Sequence, residues 1–95
     1  MAAYIIVEVE VNDPVRYEDY KKMTPLSLPL YGGKFIARGG KAKLLEGNKD
    51  PQRVVILQFD NSDQAMAWWS SPEYAEAKKL RQSIANTRMI LIEGV

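Results

Sequence analysis

The chain has 95 residues, enough for one domain, and a domain this small hides only about two-thirds of the surface its unfolded chain exposes, so core area is scarce and a partner subunit would help. Hydrophobic residues at 46% and charged residues at 26% exclude disorder and fibrous repeats, and 13 basic against 12 acidic side chains leave +1, without the basic excess of a nucleic-acid or membrane-surface binder. Cysteine and histidine are both absent, which excludes disulfides, Cys/His zinc sites, thiol nucleophiles, serine–histidine triads and histidine-ligated haem; neither a metal nor a cofactor is expected.

Tyr4 to Val11 alternates as a strand, with Ile5, Val7, Val9 and Val11 on one face and Tyr4, Ile6, Glu8 and Glu10 on the other. Asn12-Asp13-Pro14 starts a helix, because the Asp side chain accepts an orphan amide hydrogen and proline at the first helical position loses nothing. Tyr17, Tyr20, Met23 and Thr24 recur at helical spacing; Pro25 and Pro29 remove donors and predict a kinked or broken end before Gly32-Gly33. Lys34 to Arg38 is a short strand with Phe35 and Ala37 opposite Ile36 and Arg38, bending at Gly39-Gly40, with a resumption through Ala42 to Leu45 as an option.

The turn chemistry of Gly47 to Pro51 then leads into the strongest strand, Arg53 to Phe59, with Val55, Leu57 and Phe59 on one side and Val54, Ile56 and Gln58 on the other. Asp60-Asn61-Ser62 caps a second helix carrying Ala65, Met66, Trp68 and Trp69. Ser71-Pro72-Glu73 reads as a new cap and proline start, so this helix breaks before a segment with Tyr74, Ala77, Leu80, Arg81 and Ile84. Met89 to Ile92 is a last apolar strand.

The order β-α-β-β-α-β, with right-handed crossovers, predicts a single α+β domain over residues 1–95. It is a ferredoxin-like sandwich with a four-stranded antiparallel sheet and both helices on one face. The open face is expected to present Tyr4, Ile6, Ile36, Val54, Ile56, Met89 and Leu91, too contiguous an apolar area for a monomer, so a two-fold partner is expected to cover it. No window approaches a membrane span and the apolar start lacks a basic leader, which predicts a cytoplasmic homodimer without nucleic-acid or membrane partners.

The run from Tyr31-Gly32-Gly33 to Arg38-Gly39-Gly40, with Arg53-Val54-Val55, Ala67-Trp68-Trp69, Ser71-Pro72-Glu73-Tyr74 and the closing Ile92-Glu93-Gly94, resembles the domain of unknown function 1330 family over nearly the whole chain. The resemblance implies a homodimeric α/β barrel and no established activity. Related barrels include cofactor-independent monooxygenases and haem-degrading enzymes, but the histidine of the haem-degrading group has no counterpart here.

The topology is expected to gather Tyr4, Arg38, Arg53, Arg81 and Arg88 at one end of the sheet, with Glu10, Asp13, Asp60, Asp63 and Glu93 at the other. Guanidinium forks suit carboxylates or phosphates, so the arginine end reads as a mouth for a small organic anion, with Tyr31, Trp68, Trp69 and Tyr74 as walls. Each residue has a plainer reading beside this one. Arg81 complements the negative end of its helix, Arg88 stands in solvent, and Arg38 sits on the open face paired with Glu8, Glu10 or Gln58 across the sheet or the dimer. The adjacent tryptophans diverge by about 100°, so one is core and the other borders a pocket or an interface. Ser71 is a cap rather than a nucleophile, since no base accompanies it. No catalytic pair is singled out by spacing. A small-molecule binder or weak enzyme and a purely structural or regulatory dimer remain the two readings.

Overall fold

A computed structural model describes residues 1–95. The elements are β1 (Ala3–Val11), α1 (Pro14–Ser27), a 3-10 turn (Leu28–Tyr31), β2 (Lys34–Arg38), β3 (Arg53–Phe59), α2 (Ser62–Trp69), α3 (Pro72–Ile84) and β4 (Ala85–Glu93). The sheet order is β2-β3-β1-β4 with every neighbouring pair antiparallel, the ferredoxin-like arrangement that the element order predicts. No helix is long and apolar enough to cross a membrane.

The caps lie where the sequence puts them. Asp13, Asn61 and Ser71 each accept a backbone amide hydrogen three residues on, and Pro14 and Pro72 follow two of them directly. Each relieves one orphan donor at its helix start. Pro25 does not end α1, which runs on to Ser27 before tightening into the 3-10 turn and closing on Gly32 in the left-handed conformation.

Ile5, Val7 and Val9 of β1 and Val55, Leu57 and Phe59 of β3 are buried under the helices against Trp68, Tyr74, Ala77 and Ile84. The opposite face differs from expectation in β4. This strand starts at Ala85, directly after α3, and its register sets Met89 against Val7 and Leu91 against Ile5, so both lie under the helices. Ile90 and Ile92 take their place on the open face, where Ile56, Ile6 and Ile90 form a row across three strands. A shift of one residue exchanges every side chain between faces.

A second parity change occurs in β2. Phe35 pairs with Leu57 and Ala37 with Ile56, an irregularity that places Ile36 and Ala37 opposite one partner residue. Beyond this bulge Arg38 pairs with Val55, and its side chain therefore lies on the helix face, not on the open face that strict alternation assigns it. Gly39, at φ 66°, continues the ladder with a bond from its amide to the Val54 carbonyl. No strand resumes at Ala42 to Leu45.

Candidate functional site

A cleft opens between α1, α3 and the sheet near the C-terminal end of β1, with a cavity of about 30 Å³, room for about one water molecule. Val7, Val9, Phe35, Val55, Leu57, Trp68 and Met89 supply its apolar walls, and Tyr17, Tyr20, Lys21, Thr24, Arg38, Arg53 and Arg81 its polar ones. It adjoins a wide surface bowl of about 540 Å³ lined by Glu18, Lys21, Lys22, Arg38, Gly39 and Arg53. Lys21, Arg38 and Arg53 line both compartments.

Each cationic side chain is placed by a local feature of the sequence. Pro25 has no amide hydrogen for the Lys21 carbonyl four residues earlier, and Arg38 Nη2 donates to that carbonyl at 2.6 Å. The same guanidinium stacks on the Phe35 ring at 4.2 Å. Arg53, at the start of β3, lies over the Tyr17 ring at 5.5 Å, and its buried Nε has no hydrogen-bond partner. A side chain at position 39 would displace the Arg53 guanidinium, and the φ of 66° itself favours glycine there. Arg81 shares one face of α3 with Tyr74, Ala77 and Ile84 and is only 4% exposed.

No carboxylate lies within 4.0 Å of any arginine; the single ion pair of the chain is Lys21 with Glu18. Arg81 is buried and Arg53 half-buried, while Arg38 is exposed; a guanidinium taken out of water without a counter-charge is unfavourable unless an anion joins it.

The α1 face turned to the core is hydroxylated rather than apolar: Tyr17, Tyr20, Thr24 and Ser27 are its buried residues. Tyr20 Oη lies 2.7 Å from Tyr74 Oη, and Arg81 Nε donates to Tyr74 Oη at 3.4 Å. Burial raises the Tyr74 hydroxyl pKa well above its ordinary value, and burial followed by repulsion from Tyr20 raises that of Tyr17. Trp68, fully buried, stacks on Tyr74 with ring centres 4.0 Å apart and donates its indole hydrogen to Ser27 Oγ.

Of the residues singled out in the sequence, Arg38, Arg53 and Trp68 line the cleft, and Tyr74 stands behind Tyr20. Tyr31 and Trp69 are outside it. Tyr31 donates to Glu73 Oε1 at 2.6 Å, which holds the Glu73 carboxyl below its usual range, and Trp69 carries Lys78 Nζ 3.9 Å above its ring. Ser71 is a cap, bonded to Tyr74 N and the Trp68 carbonyl.

The expected gathering at one end needs correction. Because β1 and β3 are antiparallel, Arg53 pairs with Val9 while Tyr4 pairs with Gln58 at the far end; Tyr4 is not part of the arginine end. Glu10 and Asp13 belong to the arginine end instead, Glu10 opposite Asn86 and Asp13 bonded through its amide to the Ile84 carbonyl. Arg88 lies opposite Glu8 in the register, exposed on the other face from the cleft. Arg81, read from sequence as a complement to its helix end, is a cleft residue, and Tyr17 and Tyr20 were read only as helix periodicity. Their signal was present, since hydroxylated residues at core spacing bury polar groups that need partners.

A family model for a domain of unknown function matches residues 2–95. The chain belongs to the DUF1330 family. Among solved structures, a Rhodopseudomonas palustris protein of unknown function superposes with a TM-score of 0.80 at 20% identity, over 99% of this chain and 82% of its own. A dimeric ferredoxin-like protein of unknown function from Jannaschia gives 0.80 at 12% identity, over 99% of this chain and 100% of its own. SnoaB, a cofactor-independent oxygenase from Streptomyces nogalater, gives 0.71 at 16% identity, over 99% and 93%. At these identities the likeness to this DUF1330 chain is one of fold. No functionally curated protein matches the chain.

Proposed function

We propose that this DUF1330 protein is a homodimer, joined through its open sheet faces, that binds a small organic anion in the cleft of each chain. The observation that carries the ligand reading is the set of three arginines around one cleft without a carboxylate within 4.0 Å of any of them. Arg38 and Arg53 would meet the anion's charge where cleft and bowl join, with Trp68 on the apolar wall of the cleft and Tyr74 behind Tyr20. The dimer reading is supported by the Ile56, Ile6 and Ile90 row left uncovered on a single chain and by the dimeric state of the Jannaschia protein.

A cavity of about 30 Å³ sets a condition on the ligand: it inserts a small group and leaves its bulk in the bowl. The same narrowness is the observation that favours the second reading, a structural dimer with no small-molecule ligand. Thermal melts with matched acids and amides separate the two. Under the binding reading, benzoate and phenylacetate raise the melting temperature while benzamide and glucose leave it unchanged, since only a ligand of the native state stabilises it. No shift with any acid favours the structural dimer.

A further inference from the structure

The hydrogen bonds at the inner end of the cleft have a direction that can be worked out atom by atom. Arg81 Nε is a donor only, and its acceptor is Tyr74 Oη at 3.4 Å. Tyr74 is fully buried, and the one other partner of its hydroxyl is Tyr20 Oη at 2.7 Å. If Tyr20 donated across that contact, the Tyr74 proton would be left in the core with no acceptor, the costly outcome for a buried donor. With Tyr74 donating to Tyr20, every group of Arg81 Nε–H to Tyr74 Oη–H to Tyr20 Oη is satisfied. The Tyr20 proton is then left without an acceptor from the protein, on a residue that lines the cleft.

We infer that Tyr20 is a ligand contact, its hydroxyl donating into the cleft to an oxygen of the bound group, and that this group is a carboxylate; the inference rests on the anion reading of the same cleft. Tyr74 and Arg81 are positioning residues that orient the Tyr20 hydroxyl. The remaining polar groups there agree on the class. The Arg38, Arg53 and Arg81 guanidinium groups and the Lys21 ammonium are donors with no acceptor capacity and outnumber the Tyr17 and Thr24 hydroxyls beside them, so the lining favours a charged acceptor. An amide or alcohol would leave the guanidinium charges without a counter-charge. A planar carboxylate, with three heavy atoms, asks for less widening of the narrow cleft than a tetrahedral phosphonate with four.

The test uses benzoate, phenylphosphonate and benzamide as probes, on the wild type and on Tyr20→Phe and Tyr74→Phe, with affinity read from tryptophan emission. Benzoate is expected to bind the wild type and to lose affinity by tenfold or more in Tyr20→Phe, the usual effect of deleting a hydrogen bond to a charged group. The loss in Tyr74→Phe is expected to be smaller, because Tyr20 keeps its proton. Benzoate binding equally well to Tyr20→Phe and wild type overturns the inference and leaves the anion reading standing, while phenylphosphonate binding more tightly than benzoate overturns the carboxylate assignment. A wild type that binds no acid removes the anion reading and the ligand contact with it. Hydroxyl-proton NMR of the ligand-free wild type, with labelled tyrosine, checks the direction independently: a slowly exchanging proton is expected on Tyr74 and a fast one on Tyr20, and the reverse assignment overturns it.

Discussion

The two faces of the sheet are unfinished in opposite ways. Under the helices, the cleft at the arginine end holds a buried Arg81 and a half-buried Arg53 that lack a counter-charge. On the open face Glu8 and Arg88 are exposed to solvent, and what lacks a partner is the isoleucine row of Ile56, Ile6 and Ile90. One face calls for an anion and the other for an apolar surface. A substitution that repairs or worsens one deficit should leave the other unaffected, which makes the two readings separable.

The largest effect is expected on the open face. Ile56→Asp places a carboxylate in the middle of the isoleucine row, and in the dimer it buries two such charges near the two-fold axis, each costing about 3–5 kcal/mol when uncompensated. Light scattering should find a monomer or an unfolded chain; an unchanged dimer with an unchanged melt would show that this face is not the interface.

Gly39→Ala acts on the other face. Its Cβ would stand 2.1 Å from Arg53 Nη1 at a φ of 66°, so both the backbone and the guanidinium are disturbed. A loss of about 1–3 kcal/mol is expected from the backbone strain, together with weaker benzoate binding but an intact dimer. Denaturant titration and light scattering check the two parts, and dissociation of the dimer would break the separation of the faces.

The smallest effect is a pH dependence. The Tyr74 and Tyr17 hydroxyls are kept protonated above the ordinary tyrosine pKa of 10.0, chiefly by burial. Below about pH 10 both the folded and unfolded chains hold these protons and stability is unaffected. Above it the unfolded chain releases them and the folded chain does not, so stability falls as pH rises, by up to about 1.4 kcal/mol per pH unit from Tyr74. Denaturation between pH 8 and 11 should show this slope, and it should be shallower in Tyr74→Phe.

Much of the frame was legible in the sequence because it is local. Alternation along β1 and β3, the Asp13, Asn61 and Ser71 caps and the break at Ser71-Pro72 each depend on a few neighbouring residues. What was not legible depends on pairing between distant segments. The bulge that turns Arg38 under the helices exists only in the β2 to β3 ladder, and the faces of Met89 and Ile90 follow from register with β1. The candidate site shares this dependence. Arg38 and Arg53 were identifiable by chemistry, but Arg38 is held in the cleft by the Lys21 carbonyl that Pro25 leaves without an amide partner, on a helix remote in sequence. Tyr20 meets Tyr74 only because α1 and α3 pack side by side, across 54 residues of chain.

If the arginine cleft receives an organic anion, calorimetric titration of benzoate into the wild type and Arg53→Ala will show it. One benzoate per chain is expected in the wild type. A loss of at least tenfold in affinity is expected in Arg53→Ala, with only a small change in the melt of the ligand-free protein, since Arg53 makes no hydrogen bond or ion pair in the chain and its contact there is the Tyr17 ring. Equal binding by both proteins, or no binding by either with a destabilised Arg53→Ala, would contradict the anion reading.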